Sequence, residues 1–334
     1  MKFKILIALT VFSAVVFNSC KNNLNVQAPY KDITVVYGLL DQNDPIHYIR
    51  INKAFEGVGN AYAMAQQFDS IYYLPTSLIS AVLVDSNTTT NTVVNIPLDT
   101  TTGIPLGAGT FSYPKQILYQ TNAVLNPADY YNLVITNTKT GKTVRGSTTL
   151  LQDVNFTGGI NSHSTTLYLG NNTNATGINW TSSPNGRIYQ MSLLFYYDNQ
   201  VGSGPRVLQA PLQLVFAQQT ASTISGGDNM NYNLSAQQLY ALIISSIQPI
   251  NGITRYADSL GIIFTSGTDD LNTYIQLSQP PTGINQDVPS FTDVTNAVGL
   301  YTARHIQTFY KKCDPGVLDT LTTEQRFLNL GFAP

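Results

Sequence analysis

Cysteine is nearly missing from this chain: Cys20 and Cys313 are its two thiols in 334 residues. A disulfide framework is thereby excluded, and the fold must be held by its core. Charge is scarce as well, at 11% of residues, with Glu56 and Glu324 the only glutamates. The 17 basic side chains are outnumbered by 19 acidic ones, so no positive field exists to draw nucleic acid. The longest apolar run near the start, Ile5 to Phe17, is shorter than the roughly 18–20 residues that a membrane-spanning helix requires. Histidine is limited to His47, His163 and His305, too far apart to give metal-ligand spacing.

Catalytic and cofactor motifs are missing too. "TNTKTGKT" ends like a phosphate-binding loop but carries Thr136 where the first glycine must stand, so the backbone cannot wrap a phosphate. "GSGP" lacks the third glycine of a dinucleotide fingerprint, and neither H-E-x-x-H nor G-x-S-x-G occurs. No catalytic residue, cofactor or metal is therefore expected. Asp153 lies upstream of His163, a poor hint of a triad. Cys313 has no histidine nearer in sequence than His305 and reads as a small, partly buried residue. Two loops offer oxygen ligands of the kind calcium takes: Asp41, Asn43 and Asp44, and Asp228, Asn229 and Asn231. Turn formation explains both more cheaply. Trp180, the single tryptophan, could stack on a sugar, but a core or rim aromatic is the simpler reading. His47, in a strand, reads as a rim residue.

What the chain has in quantity is tyrosine, threonine and asparagine, with 20 tyrosines in all. That composition favours strands and a polar surface with few charges. Period-2 alternation recurs. In "HYIRIN", Ile49 and Ile51 face one way and Tyr48, Arg50 and Asn52 the other. In "YYNLVITN", Tyr131, Leu133 and Ile135 share a face, and "TKTGKT" then turns the chain at Gly141. "IYQMSLLFYYD" lines up Tyr189, Met191, Leu193, Phe195 and Tyr197. "SLGIIFTS" adds Leu260, Ile262 and Phe264. The expectation is an all-β protein with a few helices: an immunoglobulin-like β-sandwich over residues 33–152, then a second β-rich domain over 153–334. Helices are expected near 235–248, 269–278 and 322–330. The first has Ser235 and Gln238 as a capping box, and the second has acids in its first turn, with Leu271, Tyr274 and Ile275 facing inward.

The N-terminus accounts for the first cysteine. Lys2 and Lys4 precede the apolar run, Ser19 stands directly before Cys20, and the chain turns polar at Lys21. This is the layout of a secretory signal, and its ending resembles a bacterial lipoprotein signal. Phe17 and Asn18 depart from the aliphatic and small residues of the strict pattern. The expectation is a signal peptide over 1–19, lipid attachment at Cys20 and a polar tether over 20–32. Removing Lys2 and Lys4 with the signal takes the 17 basic residues to 15 against 19 acidic ones, a net charge of −4.

Beyond the signal, "ITVVYGLLDQNDPIHYIRINKAFEG", "INWTSSPNGRIYQMSLLFYYD", "DDLNTYIQ" and "FTDVTNAVGLYTAR" together resemble a Bacteroidota family of outer-membrane lipoproteins carrying a domain of unknown function. The resemblance implies a lipid-anchored protein of the outer membrane, on its periplasmic face or the cell surface, often associated with TonB-dependent receptors. It implies no activity and no site residue beyond Cys20. Three readings follow: a non-catalytic lipoprotein that binds a ligand or membrane partner, a structural or adhesion protein of the envelope, and an extracytoplasmic hydrolase whose residues meet only in the fold.

Overall fold

The structure, a computed structural model, describes residues 33–54, 60–158, 160, 165–169, 175–279 and 290–334. The signal segment, the tether with Cys20, and His163 lie outside them. The first strands are β1 (Thr34–Leu40), β2 (His47–Lys53), β3 (Ile79–Asn87), β4 (Thr92–Pro97), β5 (Asp99–Thr101), β6 (Leu118–Thr121), β7 (Tyr130–Asn137) and β8 (Thr143–Thr149). Then come β9 (Asn155–Gly158), β10 (Thr166–Leu167), β11 (Thr176–Thr181), β12 (Ile188–Val201), β13 (Val207–Leu208), β14 (Leu212–Val215), β15 (Gln219–Thr220) and β16 (Asn229–Leu234). The last three are β17 (Ile253–Gly267), β18 (Ala297–Cys313) and β19 (Phe332–Ala333). Five short helices interrupt them: α1 (Ala61–Ala65), α2 (Phe68–Ile71), α3 (Ala236–Ser246), α4 (Asp269–Leu277) and α5 (Pro315–Thr323). The chain is thus mostly strand, as its composition requires.

The first eight strands form a sandwich. One layer runs β1-β2-β6-β5 and the other β4-β3-β7-β8. This is the strand order of an immunoglobulin-like fold with one extra strand beside the third. The alternation of "HYIRIN" and "YYNLVITN" sends Ile49, Ile51, Leu133 and Ile135 into the space between the layers. Tyr131, at the start of β7, is fully buried. Its hydroxyl donates to the Asn126 carbonyl at 3.2 Å and accepts from the Asn126 N–H at 2.6 Å. That back-bond to a residue a few positions upstream is the tyrosine corner of such sandwiches. Gly141 takes the positive φ of +71° in the β7–β8 turn, where its N–H bonds to the Asn137 carbonyl.

The second core gathers Trp180, Tyr189, Phe195, Phe264 and Phe327 between a sheet of long strands and the smaller sheet β16-β11-β9. Helix α3 starts with the expected capping box, Ser235 and Gln238 exchanging bonds, and buries Leu239 and Ile243. Trp180 is 1% exposed and stacks on Tyr232 at a ring separation of 5.0 Å. A sugar cannot reach it.

One strand belongs to both modules. From Ala297 to Ala303, β18 pairs in parallel with β1. From Arg304 to Lys312 it pairs antiparallel with β17. Tyr301 and Ala303 of β18 therefore enter the first core, together with Val294 just before the strand, far in sequence from the 33–152 stretch that supplies the rest of it. Two further differences have local causes. The helix expected over 322–330 stands instead at Pro315–Thr323. There Asp314 caps the Gly316 N–H at 3.0 Å and Pro315 sits at the first helical position, a pairing that sets a helix start. Only a 3₁₀ turn, Leu328–Leu330, forms in the later stretch. Helices α1 and α2, unforeseen, follow an Asn60 cap whose side chain accepts from Tyr62 N–H.

Candidate functional site

The outer face of the β18-β1-β2-β6 sheet is not left open to water. Alternation places Tyr37 on β1 and Tyr48 and Arg50 on β2 away from the first core. Leu118 on β6 and Leu300 on β18 join them. One wall over this face is α4, contributing Leu271, Tyr274 and Ile275. These three residues were expected to fill a core; they line a cleft instead, while Asn272 is the buried residue of the helix. Thr268, which caps α4, holds the helix to β18 through a 2.6 Å bond to the Thr302 hydroxyl. Ile71, Tyr72, Leu106 and Phe111 line the adjoining space over β1 and β2.

Two lobes result, of about 420 Å³ and 450 Å³, within the usual range for small-molecule sites. They share Tyr37 and Arg50. Tyr37 meets Tyr274 edge-on at 6.2 Å. The Arg50 guanidinium donates to Gln116 Oε1 at 3.1 Å, and Gln116 is itself 4% exposed. Arg304, in the second lobe, faces Asp44 at 3.8 Å.

The two histidines among the described residues are committed elsewhere. His305 lies on β18 just past the point where the strand changes partners, and is 1% exposed. Its Nδ1 faces Asp41 Oδ1 at 2.9 Å and its Nε2 faces Asp153 Oδ1 at 2.6 Å. Carboxylates only accept, so both ring nitrogens donate and the ring is held as the cation. Burial opposes that charge, but the two carboxylates outweigh it and raise the pKa above its ordinary value. A base that grips two acids has no nitrogen left for a nucleophile. Asp153, read from the sequence as a poor hint of a triad with His163, pairs with His305. His47 is buried rather than on the rim, with Nε2 on the Ala123 carbonyl at 3.1 Å.

The two oxygen-rich loops are spoken for as well. Asp41 also accepts from the Ile306 and Asn43 N–H groups. Asp228 accepts from the Ser222 and Thr223 N–H groups and the Ser222 hydroxyl. No cluster of three potential metal ligands occurs among the described residues. Cys313 is buried, and burial pushes its thiol up to about 12; a nucleophile would need the opposite shift. No helix among the described residues is long and apolar enough to cross a membrane. No family model matches the chain. No curated protein matches it either.

Asp293 stands beside a third, smaller cleft, where both its oxygens accept from the Tyr301 N–H at 2.8 and 3.1 Å. Burial, with some repulsion from Asp270, raises its pKa to about 6. A carboxyl with a raised pKa binds its proton more tightly in the fold than in the open chain. Stability is therefore lost as pH rises from about 4 to about 6 and stays lost above. Asp293→Asn should raise the melting temperature at pH 7.5, by on the order of 2 °C, and change little at pH 4. A pair of thermal melts at the two pH values checks this; equal shifts at both would remove Asp293 as the source.

Proposed function

We propose that this protein is a lipid-anchored binding protein of the outer membrane, without catalysis of its own, that takes a ligand or an envelope partner in the cleft over β1 and β2. The observation that carries the reading is the cleft itself. It is preformed, walled by α4 in one lobe and by residues 71–111 in the other, lined by tyrosines, and it has an oriented arginine in its floor. Such a mixture of apolar wall and few polar groups is how small-molecule sites are built. The commitment of both His305 nitrogens to carboxylates supports a non-catalytic role.

The anchor half of the proposal rests on the Ser19–Cys20 ending of the signal segment. Several acyl chains on Cys20 would hold the protein on a bilayer, since each buried methylene contributes about 0.8 kcal/mol. The resemblance to outer-membrane lipoproteins adds a role beside a TonB-dependent receptor.

Purification of a C-terminally tagged protein from native membranes in mild detergent tests both halves. Mass spectrometry of its N-terminus should find acylated Cys20, and mass spectrometry of its companions should find a receptor in stoichiometric amount. An unmodified N-terminus elsewhere removes the anchor. Substrate turnover by the mature protein, lost in a point variant that still folds, removes the non-catalytic reading.

A further inference from the structure

Three arginines of this molecule are paired with carboxylates, and Arg50, like the exposed Arg145 and Arg206, is not among them. Arg187 pairs with Asp269 at 3.2 Å, Arg304 with Asp44 at 3.8 Å and Arg326 with Glu324 at 2.7 Å. Among the described residues no carboxylate lies within ion-pair distance of Arg50, nor of Lys53 beside it. Both cations line the 420 Å³ lobe, and among the described residues no acidic side chain lines it with them. Its walls are Tyr37, Tyr72, Ile71 and Phe111. Gln116 fixes one edge of the Arg50 fork, and among the described residues no other hydrogen-bond acceptor meets it.

We propose, resting on the binding reading above, that this lobe takes a small molecule in which a carboxylate is attached to a flat ring with an apolar face. The carboxylate meets the Arg50 fork, which matches two parallel N–H···O bonds. Lys53 adds a second positive charge without fixing direction. The ring lies against the tyrosine and phenylalanine walls, which bind by area and by stacking. A doubly charged phosphate fits less well, because walls of tyrosine and aliphatic carbon would have to strip more water from it. Two kinds of compound share the chemistry: aromatic acids, whose ring is apolar throughout, and sugar acids, whose ring has an apolar C–H face.

The test is calorimetric titration of the mature protein with 4-hydroxyphenylacetate and with glucuronate. Each is matched to a neutral partner, 4-hydroxyphenylacetamide and methyl glucoside. At least one acid should bind at least about tenfold more tightly than its neutral partner, and which acid does so assigns the ring. Arg50→Gln should weaken that acid by roughly 10- to 100-fold, the range for hydrogen bonds to a charged group. Lys53→Gln should weaken it less, and Arg326→Gln should leave it unchanged. Arg50→Lys, which keeps the charge and loses the fork, should fall between wild type and Arg50→Gln. Melting temperatures of the variants confirm that they fold.

Equal binding of acid and neutral partner overturns the proposal. So does binding that ignores Arg50 and Lys53 together, or inorganic phosphate that outcompetes both acids. If neutral compounds bind and Tyr37→Ala abolishes their binding, the carboxylate proposal fails and the binding reading stands. If none of the four compounds binds and no small molecule or partner accompanies the protein from its membranes, both fail.

Discussion

His305→Leu should destabilise the protein by about 3–5 kcal/mol, the usual cost of stranding a buried charge whose partner is removed. The stranded charge is Asp41, 1% exposed at the end of β1. It would keep the Ile306 and Asn43 N–H groups but lose the cation opposite. Asp153 contributes less, because its side chain is 69% exposed and water screens it. Asp153→Ala should cost no more than about 1 kcal/mol. Asp41→Asn in the His305→Leu background should recover part of the loss, since the buried charge is then gone. Urea unfolding of wild type, Asp41→Asn, His305→Leu and the double variant forms a cycle that measures the coupling. A His305→Leu variant within 1 kcal/mol of wild type would show that the cluster is no fastening. The cluster also sets a pH response. Its pKa is raised in the fold, so its contribution is complete below about 6.5, the value in the open chain, and disappears as pH rises through the folded value. The acidic and basic groups nearest the pair along the chain, Asp44 and Arg304, bond to each other. His305→Leu should therefore flatten the alkaline decline in stability while leaving the Asp293 window between about 4 and 6 in place.

The second large effect is expected at Gly299. It sits in β18 opposite Val36 of β1 at a φ of +130°, a conformation that side chains rarely adopt. A methyl built there would fall inside the Val36 carbonyl and meet the Val36 backbone on both sides. Gly299→Ala thus combines a backbone penalty of about 1–2 kcal/mol with an overpacking cost of about 1–3 kcal/mol, and it pushes apart the parallel pair. Gly141→Ala is the control. Its φ is also positive, at +71°, but nothing lies within 4 Å of the added methyl, so only the backbone penalty applies. Denaturant melts should rank Gly299→Ala well below Gly141→Ala. Similar losses at the two sites would mean that β1 and β18 can separate at little cost.

Much of the fold was legible in local alternation. Tyr189, Met191, Leu193 and Phe195 enter the second core as a period of two requires. Ile49 and Ile51 enter the first core. The other half of that same alternation, Tyr48 and Arg50, is the floor of the cleft, so the face was readable though its walls were not. Those walls come from residues 71–111 and from α4, and their meeting is a tertiary event. The third helix was misplaced because "TTEQRFLNL" has helical spacing, whereas Phe327 is drawn into the core and the cap at Asp314 fixes an earlier start. β18 was hard to recognise. Its glycine, alanines, arginine and lysines blur the alternation, and its buried histidine is balanced by Asp41, 264 residues away. No window of local sequence contains both ends of that bond.

The strand shared by the sandwich and the second module also dictates an order of assembly. Residues 34–40 cannot acquire their second neighbour until residues 297–303 are present. The immunoglobulin-like module is the first to be synthesised, yet it stays one edge short until almost the whole chain is available. Contacts of such sequence separation close slowly, because the loop entropy must be met before the contact rewards it. The two sheets become one only when β18 arrives, because its first half pairs with β1 and its second half with β17.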